Sequence, residues 1–204
     1  MATITYLTKI QFDFGAVQLL AGEMAELGMT RPLLVTDKGV RTVGLLDKVM
    51  EHLPKQCPAE IFDATPENPT EAAMTVALAQ YREAGCDGLI GVGGGSSMDL
   101  AKAIALMATH PGELSEYMSI MGGAPKITVA MAPVIAIPTT AGTGSEVGRG
   151  AIIILDDGRK LGFGSPHVIP KVAICDPELT FSMPKMLTAG TGMDAFAHCF
   201  ETFC

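Results

Sequence analysis

Gly88-Leu89-Ile90-Gly91-Val92-Gly93-Gly94-Gly95-Ser96-Ser97 decides how this chain is read. Its first five residues form a short apolar run of strand length, and that run passes straight into glycines. Ser96 or Ser97 is expected to cap a helix that continues through Leu100, Ile104 and Met107. The same alternation extends in both directions. Leu33-Leu34-Val35-Thr36 reads as a strand closed by Asp37, and one helix should follow over about residues 39–51, with Val40, Val43, Leu46, Val49 and Met50 on its apolar face. Ile61-Phe62 is a second short strand. Pro69-Thr70-Glu71 opens a helix through Val76 and Tyr81 that Gly85 ends. Val134-Ile135-Ala136-Ile137 and Val172-Ala173-Ile174-Cys175 are further strands, and a hairpin turns at Asp156-Asp157-Gly158. The tract 108–131 mixes Gly, Pro and Met and is the nearest thing to a linker. A last helix is expected from Thr188 onward. Strands and helices alternating at this pitch indicate the α/β class, a parallel, Rossmann-like sheet with helices on both faces. In such sheets a ligand sits beyond the carboxyl ends of the strands.

Composition narrows the function. Of 204 residues, 48% are hydrophobic and 18% charged, enough to bury a large core. The net charge of -8 argues against a nucleic-acid surface and against an anionic membrane surface. No apolar run approaches the roughly 18 residues of a membrane-spanning helix. Residues 1–6 carry neither a basic segment nor a signal-peptide core, so a cytoplasmic protein is expected. Cys57, Cys86, Cys175, Cys199 and Cys204 form no CxxC pair, which fits a reducing compartment and small, mostly buried cysteines. His52 and His110 are expected at the surface, whereas His167 lies in a loop after Pro166.

Three strand-end segments carry candidate chemistry. The glycine loop lets backbone approach a diphosphate closely, and the following helix N-terminus attracts its charge. It is neither GxGxxG nor a P-loop, and a tight connecting turn would look the same. Asp37 can accept hydrogen bonds from both adenosine ribose hydroxyls and would repel a 2′-phosphate, favouring NAD over NADP. Taken alone, capping the next helix is the simpler reading of Asp37. Thr139-Thr140-Ala141-Gly142-Thr143-Gly144-Ser145-Glu146 offers hydroxyls and glycines suited to phosphate and carboxamide groups. Finally, Asp194 and His198 stand four apart on a helix, so both project from one face. Such a pair can chelate a divalent metal, and mixed O/N ligation suits Fe2+ or Zn2+. A plain helical Asp–His ion pair would share the spacing.

Together with Glu67-Asn68-Pro69-Thr70, Asp176-Pro177-Glu178-Leu179 and Thr191-Gly192-Met193-Asp194, these segments resemble, in order and over essentially the whole chain, the iron-containing (group III) alcohol dehydrogenases. The resemblance implies an NAD-binding α/β domain over residues 1–180, then an all-helical metal-binding domain beginning at 181–204. It implies that Asp37 binds the adenosine ribose, and that Asn68, Gly94, Gly95, Ser96 and Asp99 line the diphosphate and ribose. Thr139, Thr140, Thr143, Ser145 and Val147 would lead toward the nicotinamide, Lys160 would lie near its ribose, and Leu179 would pack beside the cofactor. Asp194 and His198 match the first two of four metal ligands. The other two family ligands are histidines on later helices, which this sequence does not include. The chain is therefore expected to be an incomplete portion, binding NAD weakly or not at all and inactive alone. The implied reaction is NAD-dependent interconversion of a small alcohol or hydroxy acid with its aldehyde, in a homo-oligomer. Dehydroquinate synthases, polyol dehydrogenases and maleylacetate reductases rank below, as does a non-catalytic nucleotide-binding module.

Overall fold

The computed structural model describes residues 8–204; residues 1–6, on which the expectation of no targeting segment rests, lie outside the described residues. The strands are β1 (Lys9–Phe12), β2 (Pro32–Val35), β3 (Glu60–Phe62), β4 (Gly88–Gly93), β5 (Val134–Pro138), β6 (Gly150–Ile154), β7 (Lys160–Gly164) and β8 (Val172–Cys175). The helices are α1 (Leu20–Glu26), α2 (Lys38–Thr42), α3 (Leu45–Met50), α4 (Glu71–Glu83), α5 (Gly95–Thr109) and α6 (Lys185–Phe203). Six strands form one parallel sheet in the order β1-β8-β5-β4-β2-β3, and β6 and β7 form a separate antiparallel hairpin. No described helix is long and apolar enough to cross a membrane.

The period of two along the central strands explains the layers. Leu33 and Val35 of β2, Leu89 of β4 and Val134 of β5 face a core built with α4, α5 and the hairpin. Leu34, Ile90, Val92, Ile135 and Ile137 face a second core built with α1, α2, α3 and Leu179. Both faces of the sheet are therefore covered, and these strands read as continuous apolar runs for that reason. From β2 the chain crosses outward to β3, while from β4 it crosses the other way to β5. The neighbouring carboxyl ends of β2 and β4 thus flank the topological switch point, where a crevice opens. Asp37 and the glycine loop stand at those two ends.

Several expectations are corrected. The helix over 39–51 is two helices, because Gly44 adopts φ +76 and turns the chain between α2 and α3. Gly94, not Ser96 or Ser97, takes the N-cap position of α5; both serines fall in its first turn. The tract 108–131 is no linker: it winds through three short 3-10 turns and buries Leu114, Tyr117, Met118, Ile127 and Met131. His110 is not a surface residue. It is 8% exposed, and its Nε2 accepts from the Thr128 amide at 2.9 Å. Edge strand β1 escaped the sequence reading because its residues are mostly exposed and lack an apolar pattern. Helix α6 starts three residues earlier than Thr188, after Pro184, and none of its residues is buried. The cysteines are half-buried or exposed rather than buried.

Candidate functional site

The site begins where β4 meets α5. At Gly91 an added Cβ would lie 3.2 Å from Met98 Cα, so glycine here lets the helix rest directly on the strand. Gly93 has φ +145, and a Cβ there would sit 2.7 Å from Ser97 Oγ. A Cβ at Gly95 would sit 2.9 Å from Thr143 Cγ2, closing the approach to the helix N-terminus. The first-turn amides of α5 have no intrahelical acceptor. Ser97 Oγ is buried and has no hydrogen-bond partner among the described residues. Glycines without side chains, open amides and an orphan hydroxyl fit a phosphate-bearing cofactor.

Two cavities flank this loop and share Gly95, Ser96 and Thr143 in their walls. The larger, about 810 Å³, is lined by Asp37, Gly94, Ser97, Thr139 and Thr140, and also by Met183 and Leu187. Asp37 is half-buried; its Oδ1 accepts from the Val40 amide at 3.0 Å, which caps α2. Its Oδ2 accepts no hydrogen bond from the described residues and remains available to the cavity. The capping and ribose-binding readings are thus compatible, one oxygen for each.

The second cavity, about 680 Å³, is lined by Asn68, Asp99, Ser145, Lys160, Asp194 and His198 among others. Lys160 Nζ donates to Asn68 Oδ1 at 2.8 Å, tying β7 to the segment before α4. Asp194 Oδ1 and His198 Nε2 stand 3.5 Å apart on α6, with side chains 43% and 57% exposed. Their oxygen and nitrogen donors fit two positions of a divalent cation. No group of three or more candidate ligands occurs among the described residues. A Cβ at Gly142 would lie 2.7 Å from Thr191 O and 3.1 Å from Asp194 Oδ2, so that glycine lets α6 approach the 139–145 loop.

Two expected residues stand apart from this cleft. Val147 is 38% exposed and lines neither cavity; Leu179 is 2% exposed and packs in the core beneath the sheet. His167 also lines neither.

Lys102 and Arg149 were not apparent as site residues in the sequence. Lys102 is fully buried on α5, and its Nζ donates to Ser145 Oγ at 3.0 Å, Gly148 O at 3.1 Å and Gly150 O at 2.8 Å. Ser145 Oγ in turn donates to Asp99 Oδ1 at 2.6 Å, while Asp99 Oδ2 accepts from the Ile152 amide at 2.9 Å. Asp99 and Ser145, expected to reach the cofactor, are therefore largely engaged with each other and with β6. Burial pushes Lys102 down to about 8, opposed by the Asp99 and Glu146 charges. Burial likewise raises Asp99, opposed first by Lys102. The 3.9 Å Lys102–Asp99 separation is too long for a direct hydrogen bond, so desolvation prevails on both partners. The available signal was one lysine, three residues after Asp99, in an otherwise apolar helix.

Residues 8–177 match the family described as iron-containing alcohol dehydrogenase. Over 203 residues the chain is 62% identical to 4-hydroxybutyrate dehydrogenase of Cupriavidus necator, covering 100% of this chain and 53% of that protein. It is 42% identical to choline dehydrogenase of Bacillus subtilis, covering 96% of this chain and 49% of that protein. Among solved structures, a 1,3-propanediol oxidoreductase superposes with TM-score 0.88 at 37% identity, over 97% of this chain and 52% of that one. The sulfoacetaldehyde reductase of Bifidobacterium kashiwanohense, in complex with NAD+, superposes with TM-score 0.85 at 30% identity, over 95% and 51%. The chain spans about half the length of the curated relatives it matches.

Proposed function

The chain belongs to the iron-containing alcohol dehydrogenase family, and from that premise we propose that it is the cofactor-holding portion of an NAD-dependent dehydrogenase of small alcohols or hydroxy acids. The observation that carries this reading is the shared wall of the two cavities. Asp37 lines one and the Asp194–His198 pair lines the other, and both open on Gly95, Ser96 and Thr143. A bound nicotinamide would supply hydride exchange with the carbinol carbon, and a divalent metal held in part by Asp194 and His198, Fe2+ in this reading, would supply Lewis acidity toward the alcohol oxygen.

The chain's own residues orient these partners. Gly94, Gly95 and the open amides of α5 hold the diphosphate. The free oxygen of Asp37 accepts from the adenosine ribose and repels a 2′-phosphate. Thr139, Thr140 and Thr143 guide the cofactor along the β5 end, and the Asn68–Lys160 pair closes the cleft near the second ribose. Asp194 and His198 supply two of the metal ligands. The domain division at 180/181 follows the same logic, with the sheet before it and exposed α6 after it. A homo-oligomeric, cytoplasmic enzyme is part of the proposal.

Saturation-transfer NMR on the chain tests this, because it detects millimolar binding. NAD+ should receive saturation more strongly than NADP+, and the His198→Ala variant should lose Zn2+ binding measured by calorimetry. A folded chain that transfers saturation to neither cofactor at several millimolar would overturn the reading.

A further inference from the structure

Arg149 stands in the same cavity as Asp194 and His198. The other charged side chains in that wall all have partners. Asp99 is held by Ser145 and the Ile152 amide, Lys160 by Asn68, and Asp194 faces His198. The exposed Arg149 guanidinium makes neither a hydrogen bond nor an ion pair with the described residues.

An unpaired arginine on a loose surface loop would mean little. Here the backbone around it is fastened from within. Lys102 Nζ donates to the carbonyls on both sides, Gly148 O and Gly150 O, and the Ser165 amide donates to Arg149 O at 2.9 Å. A buried ammonium is costly unless fully hydrogen-bonded. The fold accepts that cost where the ammonium ties down the carbonyls on either side of Arg149. Ser119, in the 3-10 turn packed on the hairpin, lines the same wall and has a hydroxyl without a partner among the described residues. A guanidinium carried on fastened backbone, with a hydroxyl in the same wall, suits a carboxylate, which a guanidinium grips with two parallel hydrogen bonds.

We propose that Arg149, positioned by the Lys102 clamp, binds the carboxylate of a short ω-hydroxy acid whose hydroxyl end reaches the Asp194–His198 pair. The inference rests on the dehydrogenase reading and narrows its substrate class from small alcohols or hydroxy acids to the hydroxy acids alone. Arg149 is then a specificity residue: it discriminates a hydroxy acid from the neutral diol of equal length and leaves hydride chemistry unchanged.

The experiment follows the Arg149 Nε–Hε signal and the Gly150 amide by 15N NMR in the chain with NAD+ present. Titration with 4-hydroxybutyrate should shift both signals saturably, and 1,4-butanediol should leave them in place. Arg149→Met should weaken 4-hydroxybutyrate binding at least tenfold, with Arg149→Lys intermediate. Inorganic phosphate is the third arm. A saturable shift as large as that from 4-hydroxybutyrate would assign Arg149 to a cofactor phosphate and overturn the proposal. Equal shifts with acid and diol, or none with the acid, would also overturn it. Loss of these shifts while NAD+ still receives saturation defeats this inference alone; loss of NAD+ binding defeats the reading beneath it.

Discussion

Lys102→Met removes the donor at the centre of the 145–152 segment. Three acceptors, Ser145 Oγ, Gly148 O and Gly150 O, lose their shared partner. Each stranded acceptor costs about 1–3 kcal/mol. Against this, methionine relieves the burial of a charge. Lys102 titrates at about 8 in the fold against a reference value of 10.5, so burying its charged form costs roughly 3 kcal/mol. The lost bonds outweigh the relief, and the expected net loss near pH 7 is about 3 kcal/mol. In urea unfolding, with a slope near 2 kcal/mol per molar, the midpoint should fall by roughly 1.5 M. The pH dependence separates this account from a plain packing defect. Because the folded value is lowered, the unfolded state binds more protons between pH 8 and 10.5, and wild-type stability rises with pH across that window. The variant lacks this term, so the stability gap should widen by about 2–3 kcal/mol between pH 8 and 10. Groups common to both proteins cancel in the difference. A gap that stays constant or narrows would refute the claim that a buried ammonium holds this segment.

Other outcomes follow from single positions. Asp37→Ser keeps a capping oxygen for the Val40 amide, so stability should change by less than about 0.5 kcal/mol. The ratio of NAD+ to NADP+ saturation transfer should nevertheless move toward NADP+, and an unchanged ratio would exclude Asp37 from the ribose. Gly91→Ala places a Cβ 3.2 Å from Met98 Cα and 3.4 Å from Ala101 Cβ; overpacking α5 against β4 should cost about 1–3 kcal/mol in urea unfolding. Gly142→Ala meets Thr191 O at 2.7 Å and should push α6 outward. Since no α6 residue is buried, its urea midpoint should hardly move, while calorimetry should show weaker Zn2+ binding; the reverse pattern would disprove the coupling.

Much of the fold was legible because its signals are local. Buried strands such as Val134–Pro138 announce themselves as apolar runs, Gly85 ends α4 through its positive φ, and Gly158 forms the hairpin turn. The elements misread were those whose state depends on neighbours. One glycine at 44 splits a helix whose apolar periodicity runs on unbroken. His110 looks polar in sequence, yet the 111–131 segment folds over it and supplies the Thr128 amide. Strand β1 exists because β8 offers it an edge, and its own pattern does not predict it.

The sequence by itself determined the candidate strand-end loops, the i,i+4 spacing of Asp194 and His198, and the alternation that makes a parallel sheet the economical arrangement. Those properties depend on residues within a few positions of one another, where backbone geometry is nearly fixed. Only the tertiary structure decided the strand order, and with it that Asp37 and the glycine loop flank one switch point. It alone joined Lys102 to carbonyls 46 and 48 residues away, engaging Asp99 and Ser145 in the same network. Such pairings are set by how helices and hairpins pack across the sheet. A buried charge finds its partners wherever that packing brings unsatisfied acceptors, and no spacing along the chain records it.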